Sequence, residues 1–143
     1  MRSDYIKAAI EYAWTLLRWK VPYKWAGNDE YVGVDCSGMI VAIFRRIGLI
    51  SSRADYSSKM LYEKYSRYPS RPGPGCLVFY GKNLEHITHV AFMINRHQVI
   101  EAAGAGSECK TVEKAEELGA RVRLNPHTYR TPLAIVDPFK SIV

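Results

Sequence analysis

The sequence lacks several features that would assign it to a familiar class. No apolar run in its 143 residues approaches the ~20 residues that a membrane-spanning helix needs. Its three cysteines include no Cys-x-x-Cys pair, which argues against a zinc knuckle and a disulfide framework. A single disulfide, such as Cys76 with Cys109, stays open. Because no repeat or linker interrupts the chain, we expect one domain over residues 1–143.

The amino-terminal segment also lacks the pattern of a signal peptide. Asp4, Lys7 and Glu11 interrupt the apolar residues there, and no small-residue cleavage site follows. We therefore expect the protein to be synthesised in the cytoplasm without a signal peptide.

The charge is positive but carries no recognition pattern. Twenty Lys and Arg against 14 Asp and Glu give a net charge of +6, which favours a polyanionic partner such as an acidic cell-wall polymer. The basic residues are scattered, and Arg45 and Arg46 are the only adjacent pair. We expect no nucleic-acid partner, because no basic stripe or recognition motif is present. Surface solubility explains the charge equally well.

Helical periodicity dominates the first half of the chain. A first helix, capped by Ser3 or Asp4, is predicted within the first 20 residues, and a second starts near Asp35. Ser57 or Ser58 opens a third.

The second half is typical of strands. The runs "CLVFYG", "THVAFMIN" and "QVIEAAG" are β-prone and separated by polar turns. A short helix is predicted for "TVEKAEELG", and closing strands for "ARVRL" and "PLAIVD". Helices followed by strands indicate an α+β fold, with N-terminal helices packed on a small antiparallel sheet.

Cys36 stands where a loop gives way to the second helix. A helix start offers free N–H groups and a partial positive charge, which stabilise a thiolate and suit a developing oxyanion. Asp35 can cap the helix, while Ser37 and Gly38 keep its first turn slim and leave room for a substrate. Judged by its position alone, Cys36 fits a structural role equally well, as a small hydrophobic residue buried at the border between loop and helix.

A thiolate nucleophile needs a base, and His89 is the candidate. Strand alternation places His89 on one face with Ala91 and Met93. Glu101 lies in the next apolar run, where a glutamate is uncommon unless it is paired. If the two runs form a hairpin, Glu101 can orient His89 and complete a nucleophile–base–orienter set. Taken singly, an edge-strand histidine and a solvated glutamate are the commoner explanations. His86 and His89 form an HxxH pair without further ligands, so we expect no metal site.

The combination resembles the NlpC-type cell-wall cysteine peptidases, which have a papain-like α+β fold. "VPYKWAGNDEYVGVDCSGMIVAIF" is similar to their active-site segment, and "RPGPGCLVFYG" and "THVAFMINRHQVIEAAG" are similar to their following strands. The resemblance covers roughly residues 5–104, so residues 105–143 receive little functional assignment.

The resemblance implies a role for individual residues. Cys36 matches the nucleophile, His89 the base and Glu101 the third polar residue. Tyr23 matches a tyrosine near the nucleophile that assists the oxyanion. Asp35 and Ser37 match positions that bind the free amino end of a stem peptide.

Two departures stand out in this comparison. Glu101 brings a full charge where the family usually has His, Asn or Gln. Cys76 replaces the usual acid of the third motif.

The implied activity is that of a peptidoglycan endopeptidase. It would cleave stem peptides between γ-D-glutamate and a diamino acid, through a thioester, as a monomer without metal or cofactor. Without a signal peptide, action at the wall implies delivery, as for a phage lysin, a tail-associated enzyme or a secreted toxin. Alternatives are an acyltransferase or amide hydrolase acting on lipids or proteins, and a catalytically silent structural domain.

Overall fold

The computed structural model describes residues 1–142 and confirms the α+β architecture. The helices are α1 (Arg2–Arg18), α2 (Cys36–Ile47), α3 (Ser58–Tyr65) and α4 (Val112–Leu118). The strands are β1 (Asn28–Asp29), β2 (Gly33–Val34), β3 (Leu77–Asn83), β4 (His86–Met93), β5 (Gln98–Ala103), β6 (Arg121–Pro126) and β7 (Ala134–Val136). The tiny hairpin of β1 and β2, within the loop before α2, was not predicted.

The main sheet has five strands in the order β6-β5-β4-β3-β7, and every neighbouring pair is antiparallel. Its two faces follow the predicted alternation along β4. Val90 and Phe92 join the main core beneath α1, α2 and α3, whereas Ala91 and Met93 belong to a smaller apolar cluster on the other face. None of the helices between residues 1 and 142 is long and apolar enough to cross a membrane.

The predicted ends of α2 are confirmed. Asp35 has extended backbone dihedrals of −89° and −172°, and its carboxylate accepts a hydrogen bond from the Gly38 N–H at 2.7 Å. The helix ends at Gly48, whose φ of 78° lies in the left-handed region that glycine tolerates.

The predicted cap of α1 is wrong. Met1 occupies the N-cap position without a side-chain hydrogen bond, and Ser3 and Asp4 lie inside the first turn. The helix begins at Arg2, so Ser3 and Asp4 already have helical positions and cannot serve as its N-cap.

A β-bulge lies between β3 and β4. Tyr80 pairs with His89, but the next pair is Gly81 with Ile87, so Thr88 is an extra residue on β4. Gly81 has a φ of 155°, and a side chain there would overlap the His86 carbonyl oxygen. The bulge directly precedes His89 and therefore sets where that side chain emerges from the sheet.

A backbone contact joins the loop before α2 to the first turn of the helix. The Gly27 carbonyl accepts a hydrogen bond from the Asp35 N–H at 3.0 Å. A Cβ atom on Gly38 would overlap the same carbonyl oxygen. The space that Gly38 leaves is thus filled by Gly27, not kept for a substrate.

We predict that Gly38→Ala destabilises the protein by at least about 2 kcal/mol, since the overlap outweighs the ~1 kcal/mol by which alanine favours a helix interior. Denaturant unfolding measures the change. Gly73→Ala is the matched control, because a Cβ at Gly73 meets only ordinary van der Waals contact. Equal stabilities for the two variants would show that the contact between Gly27 and Gly38 is not tight.

Candidate active site

A cleft of about 850 Å³ opens where the start of α2 meets the loop at residues 23–26, the start of α3, the start of β4 and the end of β5. The cleft is lined by five of the six residues singled out in the sequence: Tyr23, Asp35, Cys36, Ser37 and His89. The sixth, Glu101, is fully buried behind His89.

Cys36 is the first residue of α2, and 9% of its surface is exposed. Its Sγ lies 3.4 Å from the Ser58 hydroxyl oxygen and 4.0 Å from the Thr88 carbonyl oxygen. Ser58 was predicted only as a helix start, yet Ser57 is the cap and Ser58 faces the thiol.

His89 is held by Glu101, and the two side chains come from neighbouring strands. The imidazole Nε2 lies 2.5 Å from Glu101 Oε1. His89 is 8% exposed and Glu101 is completely buried. With Nε2 engaged by the carboxylate, Nδ1 is the ring nitrogen left to exchange a proton with Cys36. The structure therefore brings Cys36, His89 and Glu101 together, while their catalytic roles stay predictions.

Glu101 receives two further hydrogen bonds that the sequence did not reveal. Asn125 donates through Nδ2 to Oε2 at 2.7 Å, and the Tyr129 hydroxyl donates to Oε1 at 2.9 Å. Both donors lie beyond residue 104, in the region that received little assignment from sequence. The sequence offered one signal for these donors, which was Glu101 itself. A carboxylate buried in a sheet needs several hydrogen-bond donors, so further polar side chains had to lie close to it.

The electrostatics favour a thiolate–imidazolium pair. Burial alone would raise the pKa of Cys36, but the hydrogen bond and positive charge of His89, aided by Ser58, outweigh burial and lower it. Burial likewise opposes the charged form of His89. Its interactions with Cys36 and Glu101 nevertheless raise the pKa of His89 to about 9. The thiolate and the imidazolium therefore stabilise each other, and their titrations belong to the pair.

The Glu101 carboxylate stays ionised although it is buried. Burial would raise its pKa, but the hydrogen bond and charge of His89, together with the bonds from Tyr129 and Asn125, lower it. A permanent negative charge thus lies behind the imidazole.

Tyr23 lines the cleft, with only 5% of its surface exposed. Its N–H donates to the Ala120 carbonyl at 3.1 Å, and the Cys109 thiol donates to its carbonyl at 3.4 Å. Burial and the nearby charges of Cys36 and Asp35 raise the pKa of Tyr23, so its phenol remains a hydrogen-bond donor.

Asp35 and Ser37 lie beside Cys36, but the Asp35 carboxylate already has intramolecular partners. Besides Gly38, it accepts from the Ser37 hydroxyl at 3.3 Å and from the Ala26 N–H at 3.1 Å. Burial raises the pKa of Asp35, and these hydrogen bonds only partly oppose the rise. Its first task is therefore to join the loop to the helix, and binding a substrate amine stays a prediction.

The other two cysteines lie apart from this chemistry. All three cysteines are free, so the disulfide left open between Cys76 and Cys109 does not form. Cys109 packs under Tyr23 in the main core, and Cys76 lies in the smaller cluster, with its Sγ 3.6 Å from the Ser70 hydroxyl oxygen.

Comparisons with known proteins point to one family. The model of the NlpC/P60 family matches residues 20–120. The chain is 31% identical over 103 residues to the peptidoglycan endopeptidase RipA of Mycolicibacterium smegmatis, covering 63% of this chain and 20% of RipA. It is 29% identical over 87 residues to the bifunctional muramidase/DL-endopeptidase CwlT of Bacillus subtilis, covering 59% of this chain and 26% of CwlT. The chain therefore spans only a fifth to a quarter of the length of these relatives.

A solved structure supports the fold. The NlpC/p60 domain of the peptidoglycan hydrolase SagA superposes with a TM-score of 0.65 at 22% identity, covering 92% of this chain and 97% of that domain. At this identity the likeness establishes the papain-like fold and not the activity.

We predict that iodoacetamide alkylates Cys36 at neutral pH at least about tenfold faster than Cys76 or Cys109, because a lowered pKa provides the reactive thiolate. Burial raises the pKa of the other two thiols. Peptide mapping after brief labelling measures the three rates, and Cys36→Ser supplies the background. Equal rates would remove Cys36 from the role of activated nucleophile.

We predict that Glu101→Gln lowers the pKa of His89, because it removes the charge that stabilises the imidazolium. The alkaline limb of the rate profile should move to lower pH, with a partial loss of kcat/KM that is smaller than for His89→Ala. Asn125 can rotate its amide to accept from the new side chain, so the packing is preserved. In the absence of substrate, the pH profile of Cys36 alkylation should also move to lower pH, because the lost negative charge no longer opposes deprotonation of the coupled pair.

The control for this experiment is Glu116→Gln, which removes a charge from the exposed surface of α4. It should leave both profiles where they are. If Glu101→Gln also leaves both in place, Glu101 does not act on the His89–Cys36 pair.

Proposed function

Because the chain belongs to the NlpC/P60 family of cysteine peptidases, we propose that it is a peptidoglycan endopeptidase. The bond that it hydrolyses joins γ-D-glutamate to a diamino acid in a stem peptide. The observation that carries the proposal is the buried Glu101–His89 pair aimed at Cys36, at a helix start inside an open cleft.

The first half of the reaction forms a thioester. The Cys36 thiolate attacks the γ-carbonyl carbon, and the electrons of the carbonyl bond move onto its oxygen. The first-turn N–H groups of Cys36 and Ser37, which a helix leaves without internal acceptors, stabilise this oxyanion together with the Tyr23 phenol. His89 then gives its proton to the departing amine as the carbon–nitrogen bond breaks.

The second half regenerates the enzyme. Water takes the place of the amine, and His89 accepts one of its protons as the oxygen attacks the thioester carbon. The carbon–sulfur bond breaks, releasing the glutamyl carboxylate and the thiolate. Throughout both steps Glu101 fixes the ring orientation and offsets the imidazolium charge.

The sides of the cleft suit different parts of the substrate. Asp35 and Ser37, next to Cys36, bind the free amino end of the stem peptide in this proposal. The net charge of +6 favours approach to an acidic wall. We place the site of action at the bacterial cell wall.

The proposal is tested by incubating the protein with purified stem peptides and muropeptides and identifying the products by mass spectrometry. We expect two fragments whose masses sum to that of the substrate plus one water, with the break after γ-D-glutamate. Cys36→Ser should reduce the rate by at least about 10³-fold while remaining folded. Acylated products would instead indicate a transferase, and an unchanged substrate would indicate a silent domain.

A further inference from the structure

One oxygen atom of Glu101 is shared by two hydrogen-bonding partners. His89 Nε2 lies 2.5 Å from Glu101 Oε1, and the Tyr129 hydroxyl donates to the same Oε1 at 2.9 Å. Asn125 donates to the other oxygen, Oε2, through Nδ2 at 2.7 Å. His89 and Tyr129 therefore compete for the negative charge of a single atom, whereas Asn125 acts on its neighbour.

Solvent does not enter this competition, because Glu101 is completely buried. Burial, followed by the hydrogen bond and charge of Glu101, raises the pKa of Tyr129 to about 12. The phenol therefore keeps its proton and remains a donor while His89 titrates. Hydrogen bonds to an ionised acceptor are strong where water does not screen them, so the loss of this donor should be felt by His89.

Other charged and titratable groups surround the pair without bonding to its carboxylate in the described residues 1–142. Arg123 is opposite Glu101 in the strand register, but its Nη2 donates to the Gly119 carbonyl oxygen. His127 has its Nδ1 3.1 Å from the His97 carbonyl oxygen. The remaining groups near the pair are Tyr23, Asp35, Cys36, Tyr80 and Arg130.

A donor on a carboxylate oxygen takes up part of its negative charge. The charge of Glu101 favours the imidazolium form of His89, so a donor that takes up some of that charge makes the imidazolium easier to deprotonate. In the proposed reaction His89 must release its proton to the departing amine, and an imidazolium that holds its proton too firmly is a poor acid. A balance is therefore needed at Oε1 between stabilising the imidazolium and releasing its proton.

We propose that Tyr129 is a positioning residue that shares the charge of Glu101 with His89, and so limits how firmly the imidazolium holds the proton that the departing amine takes. Tyr129 acts through Glu101 and needs no contact with the substrate. The inference rests on the proposed function and deepens it by adding a residue that sets the acid strength of His89.

The test is an NMR titration of His89 in protein labelled with ¹³C-histidine, in which the signal absent from His89→Gln identifies this residue among the four histidines. Tyr129→Phe keeps the ring and removes the hydroxyl. We expect the His89 midpoint to rise by about half a pH unit, since only part of the strength of a charged hydrogen bond depends on the neighbouring proton. The pH profile of Cys36 alkylation should also move to higher pH, because more negative charge faces the coupled pair.

The matched control is Tyr31→Phe, which removes a phenol hydroxyl from a residue that is 72% exposed and lies outside the cleft. It should leave both profiles in place. A second variant combines Tyr129→Phe with Glu101→Gln and completes a double-mutant cycle. With the carboxylate charge gone, removal of the hydroxyl should no longer move either profile relative to Glu101→Gln alone. A merely structural effect of the turn that carries Tyr129 would persist in that background.

The outcomes separate this inference from the proposed function, because neither readout requires hydrolysis. An unchanged or lowered His89 midpoint in Tyr129→Phe overturns the charge sharing, even if stem peptides are cleaved. An equal rise in the Glu101→Gln background overturns it as well, since the effect then does not pass through the carboxylate. If the midpoint rises only when Glu101 is present but no stem peptide is cleaved, the charge sharing stands and the proposed function is overturned.

Discussion

The buried contact between Glu101 and His89 is the interaction on which the rest of the site depends. A carboxylate with no exposed surface is tolerated only when its charge and lone pairs are matched, and removing one partner from such a pair typically costs about 3–5 kcal/mol. Here the partners come from β4, from β6 and from the 3₁₀ turn at His127–Tyr129. One side chain thereby couples the catalytic histidine candidate to chain segments far apart in sequence.

Because the buried Glu101 carboxylate needs these donors, the carboxyl-terminal part of the chain contributes to the site. The Tyr80 hydroxyl donates to the His127 carbonyl at 2.7 Å, which anchors the segment that carries Tyr129 over the second face of the sheet. Tyr129 then reaches Glu101, and Arg130 covers Tyr80. The region after residue 104 thus supports His89 through Glu101.

On the opposite side of the cleft, the position of Cys36 depends on backbone contacts. Asp35 caps α2 while its carboxylate also binds the Ala26 N–H, so one residue joins the loop to the helix. The Gly27 and Gly38 backbones meet at this junction. A nucleophile placed by such contacts needs little reorganisation when a substrate arrives, since neither the loop nor the helix start can shift independently.

The sequence by itself determined the helices and the strands of the main sheet, and it singled out Cys36 and His89 as the candidate reactive pair. Local hydrogen bonding and backbone preference set the ends of α2, α3 and α4. The side chains that cap their starts are Asp35, Ser57 and Thr111, and the glycines that end α2 and α4 are Gly48 and Gly119. Cys36 was recognisable for the same reason, because its helix start is local. Only the tertiary structure decided the bulge before His89, the place of Ser58 at the thiol and the convergence of Asn125 and Tyr129 on Glu101. Those arrangements follow from strand register and from chain segments crossing a sheet face, which no periodicity along a single chain encodes.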